Sequence, residues 1–486
     1  KENRHRVNHC YRGKFHLLPP IGWMNDPNGF VYYKNEYHLF YQFYPYDSVW
    51  GPMHWGHAKS KDLIHWEELP VALAPSEAYD RNGCFSGSAI VIDDKLVLIY
   101  TGHVEEGNVR TETQCVAISH DGIHFEKYAG NPVIGEKHIK GIADIADFRD
   151  PKIMKYDNHY YTVVASKTTD ARGQILLFES EDCFNWKFKS VLLEGKPDQG
   201  IMWECPDLFP LSYEGKTKWV LFVSINPGGP NGGNATQYFI GDFDGTTFTP
   251  ETLPYPLWID YGRDNYAGVT WNNIPESDGR RLFLGWMNNW DYGNSVPTKN
   301  FRSAMTLPRE LRLQHNGSHL IVASFPVKEV GDEQDNQPII MNKLAENPLP
   351  IGADFYNNGY VVSFTVKLNA LKAFRFALQN SKGEKIVYYF DTEEKNFVVD
   401  RRKSGLTDFS NNFADPLIIA PLIPKKSYTI HLWVDKASVE AFVNGGEVVQ
   451  TNTVFPTEPY NQLWFNLRGN TVVSVENITL YKIKNQ

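Results

Sequence analysis

The chain of 486 residues is too long for one ordinary hydrophobic core, so its length predicts two domains. An apolar content of 42%, with 14% aromatic residues, excludes a disordered protein. The 48 basic and 57 acidic residues give a formal net charge of −9 without any basic run, which argues against nucleic acid and anionic membranes as partners.

The distribution of apolar residues and of cysteines disfavours two further classes. No run of about 18 apolar residues is present, so no segment is predicted to span a membrane. The five cysteines are widely spaced and form no C-x-x-C pair, which is typical of neither a disulfide scaffold nor a zinc site. His54 and His57 fall on opposite faces of a strand and are poor joint ligands, so no metal is predicted.

From residue 20 to about residue 320, the sequence repeats a β-rich unit of roughly 60 residues. Apolar runs flank five polar turn pairs, 59, 64, 57 and 64 positions apart: Lys34-Asn35, Asp93-Asp94, Asp157-Asn158, Glu214-Gly215 and Asp278-Gly279. A second series of Asp-x-x-x-aromatic segments, 59, 61 and 62 positions apart, starts at Asp62, Asp121, Asp182 and Asp244. Two concordant series favour a five-bladed β-propeller, over residues 1–325, rather than an ordinary all-β sandwich with accidental spacing.

The repeat stops near residue 323. The polar, turn-rich residues 328–338 (KEVGDEQDNQP) indicate a linker, which we place at 326–339. Alternating apolar runs follow, with a hairpin around Asn444-Gly445, and they predict a β-sandwich over residues 340–486. The predicted fold class is therefore all-β: a five-bladed β-propeller followed by a C-terminal β-sandwich.

Three blades carry one carboxylate each near the start of their first strand. Asp26 in WMNDPNG, Asp150 in FRDPK and Glu204 in WECPDLF lie eight, seven and ten residues before the turn pairs of their blades. Because the first strands line the central channel of a propeller, the three side chains are expected to converge there. Carboxylates that face one another repel, which raises at least one pKa, and glycoside hydrolysis requires such a pair of differently protonated acids.

Each of these residues, taken alone, also permits a structural role. Asp26 would more often be a turn residue, and Asp150 before a proline would more often be a strand end. Arg149 would point to the opposite face of a regular strand, so that only a distortion of the strand would bring it to a substrate. The equivalent placement of the three carboxylates is what favours chemistry.

The three motifs in this order and spacing, together with SVEAFVNGG near the C-terminus, resemble glycoside hydrolase family 32, the β-fructosidases. The resemblance covers nearly the whole chain. It implies a retaining hydrolase in which Asp26 is the nucleophile, Glu204 the general acid/base and Asp150 the transition-state stabiliser. It further implies no metal or cofactor, and sugar contacts from Asn25, Gln42, Trp50, Phe85, Ser86, Arg149, Tyr266 and Trp286.

Two parts of the sequence resemble different substrate classes within that family. Residues 51–89 resemble bacterial sucrose-6-phosphate hydrolases, whereas residues 265–311 in the fifth blade resemble levanases and inulinases. The second segment shapes the rim where the leaving group lies, so we favour a fructan substrate, with levan ahead of inulin and with endo or exo attack undecided.

Three alternatives stay open. The first is an invertase or a sucrose-6-phosphate hydrolase, and the latter needs phosphate ligands such as His54, Lys59 and Arg81. The second is an arabinan- or xylan-cleaving enzyme of a related five-bladed family, and the third is a non-catalytic fructan-binding protein. A fructan hydrolase is expected to be a monomer located outside the cell, on its surface or in the periplasm, whereas a sucrose-6-phosphate hydrolase would be cytoplasmic.

Overall fold

The computed structural model describes residues 10–196, 202–332, 339–343, 346–369, 373–414, 417–466 and 472–483. Nearly all the regular elements in these ranges are β-strands, and the strands form seven sheets. Five sheets follow one another along the chain as the blades of a β-propeller, and the last two form a β-sandwich. The predicted fold class is confirmed, whereas the exact domain boundaries at 1–325 and 340–486 stay predictions.

The blades are antiparallel, and the first strands of neighbouring blades contact one another in a ring. Blades one and two contain β1 (Gly22–Tyr33), β2 (Glu36–Tyr44), β3 (His54–Ser60), β4 (Glu67–Leu73), β5 (Gly83–Ile92), β6 (Lys95–Glu106), β7 (Val109–Ser119) and β8 (Glu126–Lys127). Blades three and four contain β9 (Phe148–Tyr156), β10 (His159–Lys167), β11 (Gly173–Ser180), β12 (Lys187–Glu194), β13 (Trp203–Tyr213), β14 (Lys216–Ile225), β15 (Ala235–Phe243), β16 (Phe248–Pro250) and β17 (Leu257–Trp258). The last part of the propeller contains β18 (Tyr266–Thr270), β19 (Arg281–Met287), β20 (Phe301–Arg302), β21 (Ala304–Met305), β22 (Arg309–His315) and β23 (Leu320–Pro326).

The turn pairs of the sequence repeat connect the first two strands of their blades. In the first blade Lys34 and Asn35 have φ values of 48° and 64°, and in the third Asp157 and Asn158 have 46° and 64°. Positive φ at both central residues defines the two-residue turn whose twist suits a β-hairpin, and polar residues such as Asn and Asp tolerate it best. The fifth pair differs, because residues 271–280 form a longer loop between β18 and β19.

The ring closes by contacts between the end of the propeller and its first strand. The short strand β20 pairs in parallel with residues 22–23 of β1. Beside it, the backbone N–H of Asn272 donates to the carbonyl of Phe30 at 2.9 Å, and Tyr32 donates to the carbonyl of Asn272 at 3.0 Å. These bonds pair polar backbone groups that would otherwise be buried without partners at the seam.

Two six-stranded sheets form the sandwich, and apolar side chains from both fill the space between them. Their strands are β24 (Ile339–Lys343), β25 (Leu349–Pro350), β26 (Tyr360–Asn369), β27 (Ala373–Gln379), β28 (Lys385–Asp391), β29 (Asn396–Lys403), β30 (Ile418–Pro421), β31 (Ser427–Asp435), β32 (Ser438–Val443), β33 (Val448–Thr453), β34 (Gln462–Phe465) and β35 (Val472–Lys482). The short helices of the described chain are α1 (Glu136–Ile139), α2 (Lys328–Asp332), α3 (Ala353–Tyr356) and α4 (Asn411–Ala414), with 3₁₀ turns at Ile145–Asp147 and Gly293–Ser295. Of the predicted linker, the first part contains α2, and residues 333–338 lie outside the described residues.

Buried charges join the propeller to the sandwich. Arg309 of β22 donates to Asp260 at 3.0 Å and to Glu440 of β32 at 2.6 Å, and none of the three side chains is exposed. His16 lies between Asp435 and Glu440, at 2.8 and 2.7 Å. Burial alone would lower the pKa of His16, but the hydrogen bonds to the two carboxylates raise it to about 9. The imidazole is therefore positively charged at neutral pH and balances the buried acids.

A second buried cation links the propeller to the other sheet of the sandwich. Arg401 of β29 donates to Asp264 and to the hydroxyl of Tyr292, both at 2.7 Å, and Tyr292 donates to the other oxygen of Asp264 at 2.7 Å. Arg401 also donates to the carbonyls of Phe413 and Thr453. Almost every donor of this guanidinium thus has a partner, which is the condition under which a buried charge is tolerated.

We expect Arg309→Leu to lower the free energy of unfolding by about 3–5 kcal/mol, because it leaves the buried Asp260 without its cation and removes one of the two cations that face Glu440. Arg312→Leu is the matched control: it lies on the same strand, but its side chain is 73% exposed and pairs with Glu310, so its cost should be below about 1 kcal/mol. Urea unfolding followed by tryptophan fluorescence measures both. Equal shifts of the two midpoints would contradict the structural role of Arg309.

Candidate active site

The first strand of every blade loses its regular register at the same level of the channel. The irregularities fall between Met24 and Pro27, Phe85 and Gly87, Arg149 and Lys152, Glu204 and Asp207, and Tyr266 and Val269. At these bulges Asp150, Cys205 and Ala267 have φ values of 63°, 44° and 54°. A bulge changes the direction in which side chains point. This is how the consecutive residues Arg149 and Asp150 come to line one pocket.

The thiol of Cys205 lies between the carboxylates of Asp26 and Asp150. Asp26 accepts a hydrogen bond from the Ser86 hydroxyl at 2.7 Å and one from the Asn25 amide at 3.0 Å. Asp150 accepts one from the backbone N–H of Cys205 at 3.0 Å. The Cys205 sulfur lies 3.6 Å from Asp26 Oδ2 and 3.5 Å from Asp150 Oδ2. The two acids therefore converge on the same point of the channel, as their positions in the blades predict.

Glu204 is held from two sides. Arg149 donates to Glu204 Oε1 through Nη2 at 2.9 Å and through Nε at 3.1 Å, and the Tyr266 hydroxyl donates to Oε2. The same guanidinium donates through Nη1 to Glu112 at 3.0 Å and to Asp147 at 3.1 Å. Because Arg149 holds one oxygen of Glu204 and Tyr266 holds the other, the position and the plane of this carboxylate are both fixed.

The surroundings of the acids in this site shift their pKa values in different directions. Burial raises the pKa of Asp26, and the charge of Glu204 adds to this effect, against hydrogen bonds from Ser86 and Asn25 that lower it. Burial likewise raises the pKa of Asp150 to about 8, although Arg149 opposes the shift. For Glu112 the net effect is the reverse: burial raises its pKa, but Arg149, His103 and Arg110 together lower it below its ordinary value. A pocket with neutral and ionised carboxyls side by side is the requirement for acid and base chemistry at one pH.

The pocket above these acids has a volume of about 230 Å³, which is small beside the roughly 300–1,000 Å³ of sites for drug-sized ligands. It is lined by Asn25, Asp26, Gln42, Trp50, Met53, Phe85, Ser86, His103, Glu105, Arg110, Glu112, Arg149, Asp150, Glu204 and Trp290. All three predicted carboxylates are in this lining, as are the predicted residues Asn25, Gln42, Trp50, Phe85, Ser86 and Arg149.

Two of the predicted sugar contacts lie behind the lining instead. Tyr266 is buried and reaches the pocket only through its hydroxyl on Glu204. Trp286 is fully buried, donates its indole N–H to the carbonyl of Met24 at 2.9 Å and packs against Trp290 with ring centroids 4.9 Å apart. It is Trp290, four residues further on, that faces the pocket.

The sequence analysis missed one wall of the pocket, formed by the hairpin of β6 and β7. His103 pairs with Glu112 across this hairpin, and Glu105 pairs with Arg110. All four line the pocket, and the His103 ring stacks on Phe85 at 4.0 Å. The signal was present: polar residues at alternate positions of two strands share one face of the sheet.

The described residues contain no group of three or more His, Cys, Asp or Glu side chains that could hold a metal ion. The same residues contain no helix that is long and apolar enough to cross a membrane. The geometry offers one carboxylate, Asp26, held at the floor of a small pocket, and a second, Glu204, at its side with both oxygens hydrogen-bonded. A propeller with such a pair defines the class of a glycosidase, in which one acid donates a proton and another acts on the sugar.

Comparison with known proteins gives the family. The N-terminal domain profile of the glycosyl hydrolases family 32 matches residues 16–324, and the C-terminal profile of that family matches residues 332–482. The chain belongs to glycoside hydrolase family 32, and its activity is that of a β-fructosidase.

Relatives that are named for different activities resemble the chain to similar degrees. A levanase from Bacillus subtilis is 39% identical, over 98% of this chain and 70% of its own length. A sucrose-6-phosphate hydrolase from Zymomonas mobilis is 36% identical, over 88% of this chain and 83% of its own. Among solved structures, exo-inulinase from Aspergillus awamori has a TM-score of 0.86 at 31% identity, over 98% of both chains. A mutant β-fructofuranosidase from Bombyx mori, in complex with sucrose, has a TM-score of 0.81 at 34% identity, over 100% of this chain and 96% of its own.

Asp150→Asn should change how stability depends on pH. Since the pKa of Asp150 is about 8 in the folded protein and 3.8 ordinarily, folding favours its protonated form. That contribution to stability is complete below about pH 4 and is lost as the pH rises to about 8. We expect the variant to have a higher Tm than the unsubstituted protein at pH 8, with the gap closing toward pH 4.

Thermal unfolding at several pH values measures this gap. Glu181→Gln, which removes an exposed carboxylate, should show no gap that changes with pH. A difference in Tm between Asp150→Asn and the unsubstituted protein that stays constant from pH 4 to pH 8 would contradict the raised pKa.

Proposed function

We propose that the protein hydrolyses the β-D-fructofuranosyl linkages of fructans, with levan favoured over inulin, through a covalent fructosyl-enzyme intermediate. The observation that carries the proposal is the arrangement at the pocket floor. Asp26 is held by Ser86 and Asn25 where a sugar ring would lie, and Glu204 is fixed beside it by Arg149 and Tyr266.

In the first step an oxygen of Asp26 forms a bond to C2 of the fructosyl unit. The bond from C2 to the leaving oxygen breaks, and Glu204 gives that oxygen its proton. In the second step Glu204 takes a proton from water, whose oxygen bonds to C2 as the bond to Asp26 breaks. Asp150, at the same floor, forms hydrogen bonds with fructose hydroxyls and stabilises the transition state through them.

The charges of the pocket support a neutral substrate. Its lining contains five carboxylates, those of Asp26, Glu105, Glu112, Asp150 and Glu204, and two guanidiniums, Arg110 and Arg149. Both guanidiniums are already paired with acids, Arg110 with Asp147 at 2.7 Å. A phosphate group would meet mainly like charges there, which disfavours it.

The residues considered as phosphate ligands lie elsewhere. Lys59 pairs with Glu36 at 3.0 Å, and Arg81 pairs with Glu106. Neither these residues nor His54 is part of the pocket lining. Together with the likeness of the fifth blade to levanases, this supports a fructan rather than sucrose 6-phosphate.

Aromatic side chains at the entrance support a substrate longer than one sugar. Trp50 lines the pocket and is 43% exposed, and Tyr46 nearby on the same loop is 75% exposed. Exposed rings of this kind offer apolar surface to the faces of further sugar units. We accordingly place the enzyme, as a monomer, outside the cell or in the periplasm, where polymeric fructan is met.

Asp26→Ala and Glu204→Ala should each lower kcat by roughly 10²–10⁴-fold or more while leaving Tm nearly unchanged. Fructosyl fluoride separates the two roles, because its leaving group needs no proton: Glu204→Ala should release a rapid burst of fluoride from the first step, although its second step stays slow, and Asp26→Ala should release none. Glu106→Ala, an exposed carboxylate next to the pocket wall, is the control and should keep full activity. Near-normal turnover in either test variant would overturn the assignment.

The substrate is tested by resolving early products from levan, inulin, sucrose and sucrose 6-phosphate by chromatography. We expect the highest kcat/KM on levan. Free fructose as the sole early product would show exo attack, and a ladder of short oligosaccharides would show endo attack. Turnover confined to sucrose 6-phosphate would contradict the fructan proposal and would place the protein in the cytoplasm.

A further inference from the structure

The outer face of the second sandwich sheet carries a groove that is separate from the active site. The groove has a volume of about 820 Å³ and crosses four strands: β34, β27, β28 and β29. Its lining is Arg375, Ala377, Gln379, Lys385, Val387, Asp400, Arg402, Lys403, Trp464 and Asn466. None of these residues takes part in the chemistry proposed above.

The floor of the groove is formed mainly by apolar side chains. Ala377 pairs with Trp464 on one side and with Val387 on the other, and Val387 pairs with Asp400. Two small apolar residues thus lie beside a partly exposed indole, with the amides of Gln379 and Asn466 at the edges. An apolar strip with a few polar groups at its border is the usual composition of a small-molecule or sugar site.

The charge of the groove is opposite to that of the chain. Four cations, Arg375, Lys385, Arg402 and Lys403, face one acid, Asp400, whereas the whole sequence has a formal net charge of −9. Asp400 is already engaged by Arg402 in two hydrogen bonds, at 2.9 and 2.8 Å. The positive charge of the groove is therefore not balanced by its own acid.

Two of the cations are placed against each other. Lys385 of β28 and Lys403 of β29 are direct cross-strand partners, and like charges directly opposite one another destabilise a sheet. Within the described ranges, neither lysine has an acidic partner at salt-bridge distance. Such a pair costs stability unless an anion lies between the two ammonium groups.

We propose that this groove binds an acidic polysaccharide, whose carboxylates lie between Lys385 and Lys403 and whose sugar rings pack on Trp464. The flat apolar strip suits the face of a sugar ring, and the amides at the border suit hydroxyl groups. The groove is thereby a second glycan site, which holds the enzyme in a matrix of acidic glycans while the propeller hydrolyses a neutral one.

Affinity electrophoresis of the full chain in gels containing polygalacturonate, levan or single-stranded poly(dT) tests the proposal. We expect retardation by polygalacturonate that weakens with added salt, and little by poly(dT). Lys385→Gln/Lys403→Gln should weaken polygalacturonate binding roughly tenfold, as should Trp464→Ala, with kcat/KM on levan unchanged. The charge-matched control is Lys137→Gln/Lys140→Gln on the propeller, where both side chains are exposed.

A second measurement uses thermal stability instead of electrophoretic mobility. Because removing one of two opposed lysines relieves repulsion, Lys403→Gln alone should raise Tm in the absence of glycan, and polygalacturonate should raise the Tm of the unsubstituted protein. The proposal is overturned if polygalacturonate is not bound, if the double variant binds it as the control does, or if poly(dT) is bound equally well. Loss of levan hydrolysis by Asp26→Ala leaves these results unaffected, so the two proposals fail separately.

Discussion

The contacts of Arg149 are the interaction on which the active site depends. One guanidinium faces Glu204, Glu112 and Asp147, and its charge opposes the rise in the pKa of Asp150. Without this cation, buried acids would confront one another in a medium of low dielectric constant, and most of them would take up protons. With it, the pKa of Glu112 is lowered, whereas that of Asp150 stays raised. The protonation pattern that hydrolysis needs is therefore a property of the ring of acids around Arg149 rather than of any single acid.

Backbone distortion is what lets Arg149 take that position. In a regular strand, consecutive side chains point to opposite faces, and Arg149 and Asp150 could not share a pocket. The bulge at Asp150, with its positive φ, turns both toward the channel. Similar bulges in the other inner strands place Glu204 and Tyr266. A strained backbone of this kind persists only where its surroundings hold it in place. Here the first strand of each blade is contacted by the first strands of the neighbouring blades.

Sequence reasoning predicted the repeat, the fold class and the position of the three acids, because each rests on a local pattern. Turn pairs such as Lys34-Asn35 and the spacing of Asp26, Asp150 and Glu204 within their blades are readable without coordinates. The hairpin wall with His103 and Glu112 was missed, because these residues lie on the second and third strands of their blade, whereas the motifs used in the prediction lie on first strands. Trp286 and Trp290 show a similar limit: both are tryptophans in the same segment, and only three-dimensional packing distinguishes the ring that faces the pocket from the ring behind it.

The buried charges between propeller and sandwich have a consequence for how this architecture can vary. Asp260 and Asp264 belong to the propeller, whereas Arg401, Glu440 and Asp435 belong to the sandwich, and His16 reaches across from the start of the described chain. If the two halves were separated, these charged side chains would lose the counter-charges that the other half supplies. We therefore expect neither half to be stable when it is expressed alone, because the sandwich supplies the counter-charges of the catalytic domain.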